Sequence, residues 1–309
     1  MRLALLVALV LAAIPLQAPY RIYLPVIGAS PSPPRKGVAG SASVAQRREI
    51  GANWYHHWSL CNENEGPQCV DVSKGFWTWD DPPDGYGQGP DEIEAAMERC
   101  ASGWFMFGDE WAYQDSQYCD DYPEWCWPMS RQVSEARWYI QTRDEVNPDC
   151  KLAFGGILTF HPSCRPMIVA ENWVPEFYDA YIAEYGEAPD VQAVVLDDYY
   201  WDFWYYMVGL EPDDWETVTI GAVSAIRETY GPGVEVWARE AGSLMSHENA
   251  LKAMGKLDAV TPMYDRYAWF ISRADSGSMW EYTALWVDGE LTDLGERYRD
   301  YKQPEPWGQ

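Results

Sequence analysis

The feature that most constrains this chain is a repeat: a short apolar run, then an amphipathic stretch of helical period, recurring over roughly residues 50–301. Runs such as 104–107 and 191–196 lack the alternation of a one-sided sheet and suit parallel strands covered on both faces. Parallel strands need helical crossovers. Regular βα repetition over about 250 residues predicts an α/β fold of one domain, a (β/α)₈ TIM barrel. A doubly wound open sheet is disfavoured, because no Gly-rich phosphate loop follows any strand. The expected strands are 50–55, 75–80, the run into Gly108-Asp109-Glu110, 151–159, 191–196, 234–240 and 259–263. An eighth lies either between Tyr55 and Gly75 or at 283–287. Helices are expected at 90–100, 130–145, 174–185, 214–230, 247–256 and 293–301.

At 309 residues and 47% hydrophobic content the chain can bury a sizeable core. Its formal charge of -26 excludes nucleic acid and anionic membrane surfaces as partners, since both would repel it. Tryptophan (18) and tyrosine (21) far outnumber phenylalanine (8). Rings that stack and also hydrogen-bond suit sugar faces as well as cores. A polysaccharide or oligosaccharide is therefore the expected partner, bound by a monomer.

Met1-Arg2 followed by the apolar residues 3–16 predicts a signal peptide or N-terminal anchor over 1–24. The apolar run is short for a membrane span, so membrane association follows only if the segment is kept as an anchor. Residues 25–47, dense in Pro, Ser, Gly and Ala, are expected as a flexible linker, 48–303 as the catalytic domain and 304–309 as a tail. On this reading a chain beginning near Gln46 folds with full stability. Export makes the seven cysteines a disulfide set with one thiol left over. Cys61 with Cys69, and Cys119 with Cys126, bracket short polar loops and are expected bonds. Cys100 and Cys150 each precede a strand and can meet at the opposite end of the fold, while Cys164 has no evident partner. Neither short spacing resembles a zinc ligand set, and no histidine is expected near enough to complete one.

Two of the strands end in glutamate, Glu110 and Glu240. Alternation predicts Glu110 on the face of Gly108 and Met106, and Asp109 on that of Phe107 and Phe105. Glu240 shares its face with Ala238 and Val236, small residues suited to a barrel interior. The two strands are three apart in the expected order, so both glutamates point into one mouth, at the carboxyl ends where barrels carry their sites. Two carboxylates facing across a pocket are the minimum equipment for glycoside hydrolysis, with aromatic surroundings keeping one of them protonated. Asp109, Glu110 and Asp198 offer oxygens for a hard cation, but nothing fixes a geometry. No metal and no cofactor is expected. Of the adjacent His56 and His57, one is expected buried and one exposed.

Gly108-Asp109-Glu110 resembles the Gly-Asn-Glu-Pro motif that carries the acid/base of clan A glycosidases. Trp237-Ala238-Arg239-Glu240-Ala241-Gly242 resembles the Trp-Ile-Thr-Glu-Phe-Gly motif of their nucleophile. Arg266-Tyr267-Ala268-Trp269-Phe270 and Asp288-Gly289-Glu290-Leu291-Thr292-Asp293-Leu294-Gly295 are similar to the closing pattern of one group. That group is the alkali-sensitive-linkage-protein type of glycosyl hydrolase, a (β/α)₈ family associated with β-glucans. The resemblance implies a secreted, retaining O-glycosyl hydrolase with Glu110 as acid/base and Glu240 as nucleophile. It implies substrate contacts from Asn53, Trp54, Asp109, Trp111 and Trp269, from Tyr200 as a hydrogen-bond partner of the nucleophile, and from Asp198 where the family has a histidine. Asp109 replaces an Asn that donates to a sugar hydroxyl, which a carboxylate cannot do unless protonated. Trp111 replaces Pro, and Ala241 replaces Phe. The alternative for the same residues is a non-catalytic carbohydrate-binding barrel.

Overall fold

Eight parallel strands form a ring: β1 (Arg35–Ala39), β2 (Trp54–His56), β3 (Asp71–Ser73), β4 (Trp104–Phe107), β5 (Lys151–Leu158), β6 (Ala193–Tyr199), β7 (Glu235–Gly242) and β8 (Arg266–Trp269). They are hydrogen-bonded in the order β2-β1-β8-β7-β6-β5-β4-β3. The two ends of that order meet through a parallel bridge between Tyr55 and Cys69. There Tyr55 N–H donates to Gln68 O at 3.0 Å and Val70 N–H to Tyr55 O at 2.9 Å. This is the (β/α)₈ barrel that the repeat predicts. The structure is a computed structural model describing residues 35–62, 64–73, 88–109, 128–160, 167, 169–201, 205, 208–211 and 214–302. All of these lie in the compact unit Ser30–Trp307. The signal segment 1–24, the expected strand 75–80, Glu110, Trp111, Cys119, Cys126, Cys164 and the tail 304–309 lie outside the described residues.

Side chains fill the lumen. Trp54, Val72, Trp104, Met106, Val195 and Trp237 project inward, and Ala153, Ala193 and Ala268 complete the layers. Trp237 lies 4.6 Å from Trp104 and 5.7 Å from Trp54, centroid to centroid. The Arg266 guanidinium caps Trp237 at 4.3 Å, a cation–π contact. Helices α1 (Val44–Glu49), α2 (Pro90–Arg99), α3 (Met129–Val146), α4 (Ala170–Tyr185), α5 (Trp215–Tyr230), α6 (His247–Gly255), α7 (Leu257–Val260) and α8 (Asp293–Asp300) follow the strands. In α2, Pro90 sits in the first turn, Glu92 accepts from Gly89 N–H at 3.1 Å, and Ile93, Ala96 and Met97 are buried. The helix leaves through Cys100, whose disulfide to Cys150 ties its end to the start of β5. Among the described residues no helix is long and apolar enough to cross a membrane.

The linker expected over 25–47 is corrected from residue 35 on, where it contributes a barrel strand and a helix; 25–34 lie outside the described residues. β1 lies between β2 and β8, with Val38, Ala39 and Ala42 buried, so core residues precede Ile50. α1 opens on a capping box: Ser43 Oγ accepts from Gln46 N–H at 3.2 Å, and Gln46 Oε1 accepts from Ser43 N–H at 2.9 Å. The strand expected at 50–55 starts only at Trp54, since Ile50 is the C-cap of α1. The strand expected at 259–263 is helical, α7 running into a 3₁₀ turn, Thr261–Met263. Pro262 has no N–H for a central strand, and Thr261 Oγ1 donates back to Leu257 O at 2.8 Å. Arg266–Trp269 takes that place in the barrel. The strand left open between two positions is β3. Residues 283–287 instead enter a small sheet of β9 (Arg273–Ala274), β10 (Trp286–Val287) and β11 (Glu290–Leu291).

Candidate active site

The mouth is built by a bulge. Strict alternation along β7 puts Glu240 with Val236 and Ala238, yet those two pack outward in the main core while Trp237 fills the lumen. The register shifts at this point: Leu196 pairs with Ala238 and Asp197 pairs with Glu240, leaving Arg239 as the extra residue. Arg239 and Glu240 therefore both serve the mouth. The Arg239 guanidinium grips Asp197 of β6 at 2.8 Å through Nε and again through Nη2. It also reaches across to Gly108 O at 3.3 Å and to the Asp109 carboxylate, both just past β4. Room for the guanidinium comes from Gly156 of β5, where a Cβ would strike it.

Glu240 receives two donors, Trp58 Nε1 from the loop after β2 and the Tyr199 hydroxyl from the end of β6. The side chain is buried, and its pKa is raised to about 7 by burial first and then by the Asp197 charge. Arg239, 3.8 Å away, and the Tyr199 donation oppose the rise. Phe270 meets Trp58, Tyr199 and Trp280 edge-on at 5.6, 5.8 and 5.3 Å, making an apolar wall beside the carboxylate. His56 is fully buried, and its Nε2 donates to Arg239 O at 3.0 Å, steadying the bulge. Burial and the Arg239 charge push its pKa down to about 3, so the ring is neutral. His57 is the more exposed of the histidine pair.

The other expected contacts separate into those at the mouth and those away from it. Asp109 is at the mouth, paired with Arg239, although alternation placed it with Phe105 and Phe107; Gly108, at φ 92°, breaks that alternation. Asp198 is corrected: it points outward, accepting from Thr159 Oγ1 at 2.6 Å, from Thr219 Oγ1 of α5 at 2.9 Å and from the Tyr264 hydroxyl. With Asp109 and Asp198 on opposite faces of the wall, the weighed three-carboxylate cation site does not assemble. Tyr200 also turns outward, against Trp215 at 5.8 Å, and Tyr199 is the tyrosine that meets Glu240. Trp269 packs behind the wall on Tyr298 of α8, its Nε1 donating to Thr283 O at 2.9 Å. Trp54 is lumen filling beneath the mouth. Asn53 is exposed at the amino end of β2, its N–H bonded to Lys36 O at 2.7 Å, at the far end from Glu240. Trp58, Tyr199, Asp197 and Arg239 are site residues that the sequence reading did not name; Asp197 and Tyr199 continue the inward face of Ala193 and Val195, and only Arg239 escapes alternation, through the bulge. A signal for two of them existed, the charge of Arg239 beside Glu240 and the doubled Asp197-Asp198.

The fold and the mouth together define a filled (β/α)₈ barrel whose carboxyl end, among the described residues, holds the buried carboxylates of Glu240 and Asp197. The sequence matches no family model and no curated protein. Solved structures do share the fold. A GH128 (subgroup I) endo-β-1,3-glucanase from Amycolatopsis mediterranei, in complex with laminarihexaose, superposes with a TM-score of 0.55 at 15% identity, covering 87% of this chain and 99% of that one. A GH128 (subgroup III) curdlan-specific exo-β-1,3-glucanase from Blastomyces gilchristii gives 0.57 at 16%, covering 86% and 98%. A monomeric β-xylosidase from Caulobacter crescentus gives 0.55 at 13%, covering 88% and 68%.

Proposed function

We propose that the protein is a secreted glycoside hydrolase that cleaves a β-glucan-like polysaccharide by a retaining mechanism, with Glu240 as nucleophile and Glu110 as acid/base. The observation that carries this reading is the seating of Glu240: a buried carboxylate at the barrel mouth, oriented by Trp58 and Tyr199, with no salt bridge among the described residues closer than Arg239 at 3.8 Å. Glu110 lies three residues past the end of β4, and β4 is three strands from β7 in the ring. The fold shared with β-1,3-glucanases favours that substrate class, and the two disulfides fit an exported chain.

In this reading the ionised Glu240 attacks the anomeric carbon while Glu110 protonates the leaving oxygen. Forming the glycosyl ester removes the Glu240 charge, so the pKa of Glu110 falls and it can take a proton from water. Arg239 pairs with Asp197 and Asp109 and offsets part of their effect on Glu240. The test is release of reducing ends from a panel of β-glucans, with Glu240→Gln and Glu110→Gln as controls. Turnover of a β-1,3-glucan that both variants abolish supports the reading. Turnover unchanged by either variant, or binding without turnover by the native chain, rejects it.

A further inference from the structure

The loop after β2 gathers four metal-ligating side chains that the reaction above does not use. His57, Cys61, Glu65 and Cys69 each offer one ligand atom, all within 4.8 Å of one another. This corrects the expectation that no histidine lies near this cysteine pair. His57 Nε2 is 2.9 Å from the Glu65 carboxylate and 3.7 Å from Cys69 Sγ, and Glu65 Oε2 is 3.9 Å from the same sulfur. These separations are close to the edges of a zinc tetrahedron. With Zn–N of about 2.05 Å and Zn–S of about 2.3 Å, an N···S edge is about 3.6 Å and an S···S edge about 3.8 Å. In the structure the two sulfurs are joined as a disulfide. A disulfide bond is about 2.05 Å long, so each sulfur need retreat by less than about 1 Å.

The surroundings suit an ion as well. His57 Nδ1 is bonded to Ser59 Oγ at 2.7 Å, which fixes the ring with Nε2 toward the sulfurs. Asn62 N–H donates to Glu65 Oε2 at 2.7 Å and steadies the carboxylate. His57 and Glu65 are 18% and 21% exposed, so the position is open to solvent.

We propose that this loop is a redox-gated zinc site: once the disulfide between Cys61 and Cys69 is reduced, it binds one Zn²⁺ through His57 Nε2, both sulfurs and one Glu65 oxygen. A phosphine reductant supplies two electrons and leaves as its oxide, water supplies that oxygen and two protons, and the S–S bond becomes two thiols. Zinc then displaces both thiol protons. Disulfide and metal are alternative staples for one closure. Cys69 carries the backbone bridge that joins the two ends of the barrel, and Trp58, next to His57, donates to Glu240.

The test uses the full chain with Cys119, Cys126 and Cys164 replaced by serine, reduced anaerobically with a phosphine and titrated with cobalt(II). The expected result is one equivalent bound, with a thiolate-to-cobalt charge-transfer band in the near ultraviolet that one equivalent of zinc bleaches. The band should vanish in Cys61→Ser/Cys69→Ser, and His57→Ala should weaken binding at least about tenfold. Should His57→Ala fail to melt like the parent when oxidised, His57→Gln takes its place. No band, a band that survives in the double serine variant, or affinity indifferent to His57 overturns the proposal. So does unfolding on reduction that zinc does not reverse.

Discussion

Arg239 is fully buried and touches two carboxylates and a backbone carbonyl. Taking a guanidinium out of water is costly, and Asp197, equally buried, shares the cost only while the two stay together. Arg239→Met should therefore lower unfolding free energy by about 3–5 kcal/mol in a denaturant titration, because it strands a buried aspartate. Its neighbour Glu240 has a pKa raised from 4.5 to about 7, so its contribution to stability is complete below the unfolded value and is lost as pH rises through the folded one. Glu240→Gln removes that loss: its melting temperature should match the parent near pH 4 and exceed it above pH 7, by up to about 3 kcal/mol in free energy. A constant difference at all pH values would contradict the raised pKa. Tyr199→Phe deletes a donor to the carboxylate that the proposed mechanism needs ionised. It should cut kcat/KM by about 10–100-fold, the worth of a hydrogen bond to a charged group, and move the acidic limb of the profile to higher pH.

At the scale of elements, β1 is the strand whose loss is most informative. Without it β2 and β8 have no neighbour on that side, so a chain beginning at Gln46 should lose its cooperative melting transition rather than keep it. The two disulfides among the described residues should differ in worth. Cys100 and Cys150 are 50 residues apart and Cys61 and Cys69 only 8, so chain entropy assigns about 4 and about 2.5 kcal/mol to them. Paired Cys→Ser variants measured by denaturant midpoint check that order. Elements with a local signal were legible in the sequence: α2 from Pro90 and its apolar face, β4 from its unbroken apolar run, the carboxyl-end glutamate of β7 from its position. Illegible features depended on a partner far along the chain. Gly37 reads as linker until Trp54 is seen to fill the space a side chain would need. Arg239 reads as rim until Asp197, Asp109 and Gly156 are brought around it. Asp198 and Tyr200 read as site residues through the resemblance, whereas alternation along β6 from Ala193 and Val195 puts Asp197 and Tyr199 on the mouth face and Asp198 and Tyr200 outside.

At the scale of the whole molecule, a charge of -26 on a barrel with a buried acidic mouth selects against anionic polymers and leaves neutral glucans unaffected. Substrate affinity should therefore change little between low and high salt, where an anionic ligand would bind better as salt screens the repulsion. The barrel brings β7 and the end of β4 to one mouth, and the central claim is that Glu240 forms a bond there. Its most direct test is incubation of the full chain with a 2-fluoro-substituted, activated laminari-oligosaccharide, followed by peptide mapping in a mass spectrometer. The expected result is a single glycosyl adduct on the peptide carrying Glu240, absent in Glu240→Gln. An adduct on another residue, or none while the same chain hydrolyses a β-1,3-glucan with inversion at the anomeric carbon, would contradict it.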